Sequence, residues 1–180
     1  MRKIIVSIFL VFNLLSSTAM SETAADWFHK ADALSDGKKY TDPTKAIEYL
    51  NNGIKLQPDS VDAYNNRGLA YGKLGQYQRA IEDFNKAIRL KPDYPDAYCN
   101  RGFSYVKLKQ NQRAIKDFNK AIHLKPDYAN AYSNRGTVYL MQDNKELGCP
   151  DAQKACDLGN CKLLEMAKSK GLCRLLRFVL

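Results

Sequence analysis

Five cysteines are the residues of this 180-residue chain best suited to chemistry, and four of them crowd together: Cys149, Cys156, Cys161 and Cys173, with Cys99 apart. Such a cluster can hold zinc, exchange disulfides or form structural bridges. Zinc favours cysteine pairs separated by about two to four residues. The gaps here are six, four and eleven residues, so only the middle one fits. Redox exchange favours C-x-x-C, which does not occur. Structural bridging remains, and it calls for an oxidising compartment. The two histidines, His29 and His123, lie far apart, and no cysteine or carboxylate pattern points at either. There is no Gly-rich phosphate loop, no G-x-S-x-G and no H-E-x-x-H. The residues therefore imply no catalytic group, no cofactor and no metal.

The N-terminus fits an oxidising destination. Arg2 and Lys3 precede an apolar stretch, residues 4–15, broken only by Ser7 and Asn13. Ser17 and Ala19 follow, spaced as a small-x-small cleavage site, so residues 1–19 read as a secretory signal peptide. Met20 and Ala25 are the alternative cleavage points. The stretch falls below the ~20 residues that span a bilayer, so no transmembrane anchor is expected. The expected location is exported, periplasmic or secreted. The formal net charge is +9; without Arg2 and Lys3, 26 basic residues face 19 acidic ones, which leaves +7. That balance favours acidic partners or anionic surfaces.

The elements that position these residues are set by an internal repeat. Residues 61–94 (VDAYNNRGLAYGKLGQYQRAIEDFNKAIRLKPDY) recur as 95–128 (PDAYCNRGFSYVKLKQNQRAIKDFNKAIHLKPDY), and a third copy opens at Ala129. In each copy a tyrosine (Tyr64, Tyr98, Tyr132), a glycine (Gly68, Gly102, Gly136) and a second tyrosine (Tyr71, Tyr105, Tyr139) are four and three apart, on one helical face. The second helix carries Ala80, Phe84, Ala87 and Ile88, repeated as Ala114, Phe118, Ala121 and Ile122. Glycine and alanine let the two helices approach, and the phenylalanine fills the space between them. Pro92 and Pro126 end the second helices. His123 takes the place of Arg89, a surface position.

The 34-residue period and these positions resemble the tetratricopeptide-repeat family. The resemblance implies an all-α, right-handed superhelical solenoid of antiparallel helix pairs, whose first helices line a concave groove. The chain then divides into a degenerate repeat at 24–60, repeats at 61–94 and 95–128, a divergent repeat at 129–160, a capping helix with the cysteine cluster at 161–173 and a tail at 174–180. In the first of these, Ala46 and Leu50 match Ala80 and Phe84, the helix near 24–34 fits poorly, and the 36–44 loop is longer. In the divergent repeat, Gly148 and Pro150 interrupt the second helix, so a late start near Pro150 is expected.

Helices at 150–158 and 161–170 in an antiparallel hairpin would set Cys156 and Cys161 at the turn and Cys149 and Cys173 at the open ends. Nested pairing follows from that arrangement, one of the three connectivities that four cysteines allow. The segment KACDLGNC resembles cysteine-rich exported Sel-like repeats, which use disulfides within helical hairpins.

The family resemblance also implies a site. Groove-lining positions fall on Asp62, Asn65, Leu69, Gly72 and Lys73; on Asp96, Cys99, Phe103, Val106 and Lys107; and on Asn130, Ser133, Thr137, Leu140 and Met141. This floor is expected to become more apolar toward its C-terminal end and to suit a protein or peptide with apolar anchors. Relatives that clamp a chaperone's carboxylate terminus use Lys and Arg at set positions. Asn65, Leu69, Asn130 and Asn134 stand there instead, only Asn100 agrees, and the clamp is absent. The rival reading is polyanion or membrane-surface binding by the second helices, through Lys86, Arg89, Lys91, Lys116, Lys120 and Lys125. Nucleic acid is not expected, because the aromatic residues are committed to packing and leave no stacking platform.

Overall fold

A ring set against a glycine fixes the spacing of the two middle helix pairs. A Cβ built on Gly68 would meet the Phe84 ring at 2.6 Å, and one on Gly102 would meet Phe118 at 2.7 Å. Any larger residue there would push the second helix off the first. Phe84 and Phe118 are consequently fully buried, with Ala80, Ala87, Ala114 and Ala121 beside them.

The computed structural model describes residues 22–35 and 40–173. The expectations for the leader at 1–19, for residues 36–39 of the 36–44 loop and for the tail at 174–180 fall outside these residues. Among the described residues there are nine helices: α1 (Ala24–Asp32), α2 (Pro43–Leu56), α3 (Val61–Lys73), α4 (Tyr77–Leu90), α5 (Pro95–Lys107), α6 (Asn111–Leu124), α7 (Ala129–Met141), α8 (Lys145–Asp157) and α9 (Lys162–Ser169). Each packs chiefly on its neighbours in the chain, and α3 also meets α5 and α5 meets α7, which is the pattern of a helical solenoid. Thr23 and Asp26 form a capping box on α1, Asp42 and Pro43 start α2, and Ser60 caps α3.

Polar side chains join one repeat to the next. Arg67 donates to both Asp83 oxygens, at 2.8 and 2.6 Å, and to Asn51 of the preceding repeat at 2.7 Å. Arg101 does the same with Asp117 and Asn85, and Arg135 with Asp151 and Asn119. Each arginine thereby ties two second helices to its own first helix. The hydrogen bonds that Arg67 and Arg135 donate to Asp83 and Asp151 hold both guanidinium groups above their ordinary range.

Two details differ from the sequence reading. α8 begins at Lys145, not near Pro150, because the Asn144 side chain accepts from the Leu147 N–H and starts the helix early. Pro150 lies inside α8 with its side chain exposed, so the hydrogen bond that it removes lies at the solvent side. α1 is a regular, capped helix, four residues shorter than the 13-residue α3, and Ala31 takes a fully buried place in it.

Candidate functional site

The first helices leave a groove of about 600 Å³, bounded by Asp32, Ser35 and Tyr40 at one end and by Asn100, Phe103 and Ser104 at the other. Its floor is Gly68, Leu69, Gly72, Lys73 and the edge of Phe84. Leu69 and Phe103 are large apolar residues left 40% and 43% exposed. The polar rim is held in place. Asn66 donates to Asp32 at 3.4 Å, Asn100 to Asn65 at 3.1 Å, and the Ser104 hydroxyl to the Asn100 carbonyl at 3.0 Å. Burial, with Asp32 nearby, pushes the Tyr40 phenol up to about 12, so it stays protonated at the groove end.

Of the residues assigned to the groove from sequence, Leu69, Gly72, Lys73 and Phe103 line this cavity. The remaining ones have other surroundings. Asn65 and Cys99, the fifth residues of their copies, are 5% and 3% exposed and turn between helices. Asp62 accepts from the Tyr94 hydroxyl at 3.1 Å and Asp96 from the Tyr128 hydroxyl at 2.6 Å, so both fasten the start of the following repeat. Asn130 accepts in the same way from Asn160 at 3.1 Å. Val106 packs against the central core and Leu140 against Ala152, Leu163 and Leu164. Lys107 lies over the Phe103 ring at 5.1 Å. The Thr137 hydroxyl donates to the Ser133 carbonyl at 2.7 Å, and Met141 stands 67% exposed beyond the groove.

The apolar floor of this cavity is formed by Leu69 of α3 and Phe103 of α5. Val106 and Leu140 fill gaps between helices, which removes them from the floor. Position six of the copies at 61–94 and 95–128 (Asn66, Asn100) reaches the cavity, whereas position five turns inward. The signal is present in the sequence, since Asn66 and Asn100 recur three residues before the lining Leu69 and Phe103, on the same helical face.

The cysteines offer no reactive site in this arrangement. Burial pushes the Cys99 thiol up to about 11, and its Sγ accepts from Asn134 at 3.6 Å. Cys149 is bonded to Cys173 and Cys156 to Cys161, in the nested order. These two bridges close α8 and α9 into a hairpin beside α7. Among the described residues no group of three or more His, Cys, Asp or Glu side chains could hold a metal ion. No helix among them is long and apolar enough to cross a membrane.

Comparison with known proteins places this architecture. Tetratricopeptide-repeat profiles match residues 61–94 and 84–116, and a TPR-repeat profile matches residues 42–75 and 104–143. A search of curated proteins found no match. Among solved structures, MamA (41 to the end) from Desulfovibrio magneticus RS-1 is 26% identical, with a TM-score of 0.69 over 85% of this chain and 88% of that one. The first TPR domain of Spaghetti (RPAP3), bound to the HSP90 peptide SRMEEVD, is 25% identical, with a TM-score of 0.61 over 68% of this chain and 94% of that one. TTC0263, a thermophilic TPR protein of Thermus thermophilus, shares the fold at 19% identity and a TM-score of 0.71, covering 83% of this chain and 84% of its own. The profiles, the shared fold and the helix pairs with their recurring glycine, alanine and phenylalanine agree: the chain belongs to the tetratricopeptide-repeat family.

Proposed function

We propose that this protein is a non-catalytic scaffold that holds a protein or peptide segment in the groove across α1, α3 and α5, in an extracytoplasmic compartment. The observation that carries the reading is the exposure of Leu69 and Phe103 on the floor of a preformed cavity. A charge-rich surface gains nothing from two large apolar side chains in water. Covering them with a partner's side chains returns about 25 cal/mol per Å² of apolar area. The Spaghetti domain, a structural neighbour, holds a peptide. This chain lacks the basic clamp residues, so a groove ligand is held through its side chains rather than through a terminal carboxylate. Export rests on the apolar leader and on two disulfides, bonds that persist where thiols are oxidised.

A second reading, polyanion binding by the second helices, has one observation in its favour. The acidic residue at the heart of α4, α6 and α8 (Asp83, Asp117, Asp151) is drawn inward by an arginine of the first helix. On α6 this leaves Arg113, Lys116 and Lys120 exposed with no other carboxylate on the helix.

One experiment separates the two. Immobilised protein is offered an extracytoplasmic extract, and the bound partner is eluted by a salt gradient. The groove reading expects a Leu69→Ala, Phe103→Ala double variant to lose the partner, and a Lys116→Glu, Lys120→Glu variant to keep it. Loss in the charge variant alone, with steep dependence on salt, would transfer the function to the second helices.

A further inference from the structure

Gly72 has no structural reason to be glycine. It lies inside α3 with ordinary helical backbone, unlike Gly75, whose φ of +74° requires a residue that tolerates the left-handed region. Glycine inside a helix costs about 1 kcal/mol relative to alanine. Gly68, one turn earlier, has a steric reason, since the Phe84 ring lies against it. A Cβ on Gly72 would meet nothing within 4 Å. The same position in the next two copies holds Val106 and Leu140, whose side chains are taken up in packing. Only the copy that forms the centre of the groove leaves this position bare.

The walls around the bare position are chemically mixed. Leu69 and Phe103 stand on either side, and the Phe84 edge shows through beside Gly68. Lys73 lines the cavity, and Lys107 stands beside it over the Phe103 ring, which extends the cationic rim across the apolar wall. Both are exposed, and neither forms an ion pair with a carboxylate among the described residues. Among the described residues the one acidic side chain lining the cavity is Asp32, which accepts from Asn66. A cavity of about 600 Å³ holds one large side chain together with the backbone that carries it, within the ~300–1,000 Å³ typical of ligand pockets.

We infer that the hollow above Gly72 is an anchor pocket for one bulky aliphatic or aromatic side chain of an extended segment, with an acidic residue of that segment set toward Lys73 and Lys107. The apolar part of the pocket supplies the affinity, since buried aromatic and aliphatic anchors dominate interfaces of this kind. The lysine rim sets the direction of the segment, because charge placement fixes register and partner choice more than strength. This inference rests on the groove being the binding surface, and it adds which residue of the partner is read and where.

The test uses fluorescein-labelled eight-residue peptides, glycine- and serine-based, each with one central Phe, Leu or Ala and with Asp or Lys on one side of it. Binding to the full mature chain is read by anisotropy at low and physiological salt. Peptides with central Phe or Leu flanked by Asp are expected to bind at least about tenfold more tightly than the Ala or Lys-flanked versions. Gly72→Leu is expected to cost about tenfold or more in that binding while helix content and Tm stay equal or rise. Lys73→Glu with Lys107→Glu is expected to reverse the flank preference. Full binding by a folded Gly72→Leu variant overturns the anchor pocket while leaving the groove reading in place, provided that Phe103→Ala weakens binding. If neither Gly72→Leu nor Phe103→Ala changes binding, the groove reading falls as well. Absence of binding by every peptide, or no preference for Phe and Leu over Ala, likewise overturns the inference.

Discussion

Gly72 and Leu140 hold the same place two copies apart, yet one leaves the groove open and the other closes the end of the solenoid. Around Gly72 the space is bounded by exposed Leu69 and Phe103. Around Leu140 it is taken up: a Cβ on Gly148 would meet Leu140 at 2.7 Å, and Leu163 and Leu164 of α9 complete the cluster. The cysteines divide along the same line. In the middle repeats Cys99 is a buried thiol, and at the C-terminal end all four cysteines are bonded. One repeat unit therefore serves two purposes. All three copies are stitched by the same arginine–aspartate pair; the middle copies keep a first-helix face free, while the last copy uses that face to hold the cap.

The largest expected effect tests the stitching of the middle repeats. Arg101→Ala leaves the Asp117 carboxylate buried without its partner, which costs about 3 kcal/mol. Urea unfolding should show the midpoint fall in proportion, and a loss below about 1 kcal/mol would mean that the arginine ladder is ornament. Next comes the cap. Cys149→Ser with Cys173→Ser opens a bridge between residues 24 apart, with an expected loss of about 3 kcal/mol at most. Hydrogen exchange should quicken in α8 and α9 while α3 to α6 keep their protection, and uniform loosening would contradict the division into two regions.

How much of this was legible in the sequence depends on the kind of position. The 34-residue period, with Gly68 against Phe84 and Pro92 beyond α4, determined the helix pairs, because steric demands repeat wherever the unit repeats. The arginine ladder was equally periodic, with Arg67, Arg101 and Arg135 each sixteen residues before an aspartate. Apolar spacing does not reveal it, because its members are charged and charged side chains on a helix are ordinarily at the surface. α1 resisted alignment for another reason. Trp27 and Ala31 are four apart, like Tyr64 and Gly68, but the longer loop after them displaces the helix from the fixed period. The direction of Asn65 and Cys99 was not legible, since one step around a helix separates a groove position from a buried one. Pro150 misled as a start signal because Asn144 caps the helix ahead of it.

Cys99 gives a smaller effect in the middle region. Its thiol is raised in the folded chain, so folding favours the protonated form. The associated stability is intact below pH 9 and declines as pH rises toward 11, by about 2 kcal/mol. Thermal melts of the native chain and of Cys99→Ala between pH 8 and 11 should converge over that range, and parallel curves would exclude a contribution from the thiol. The smallest effect lies in the turns. Gly75, Lys109 and Asp143 take the same left-handed place after α3, α5 and α7, with φ of +74°, +58° and +57°. Lys109→Gly should therefore stabilise by about 1 kcal/mol, visible as a raised Tm, and destabilisation would mean that the lysine side chain contributes more than its backbone costs.

The central claim is that the partner lies on the first helices of the N-terminal half. A photo-reactive residue placed at Leu69 in one variant and at Lys120 in another, each illuminated in the native compartment, tests it most directly. The account predicts a cross-linked partner peptide from position 69 and none from position 120. Cross-links from position 120 alone would contradict it.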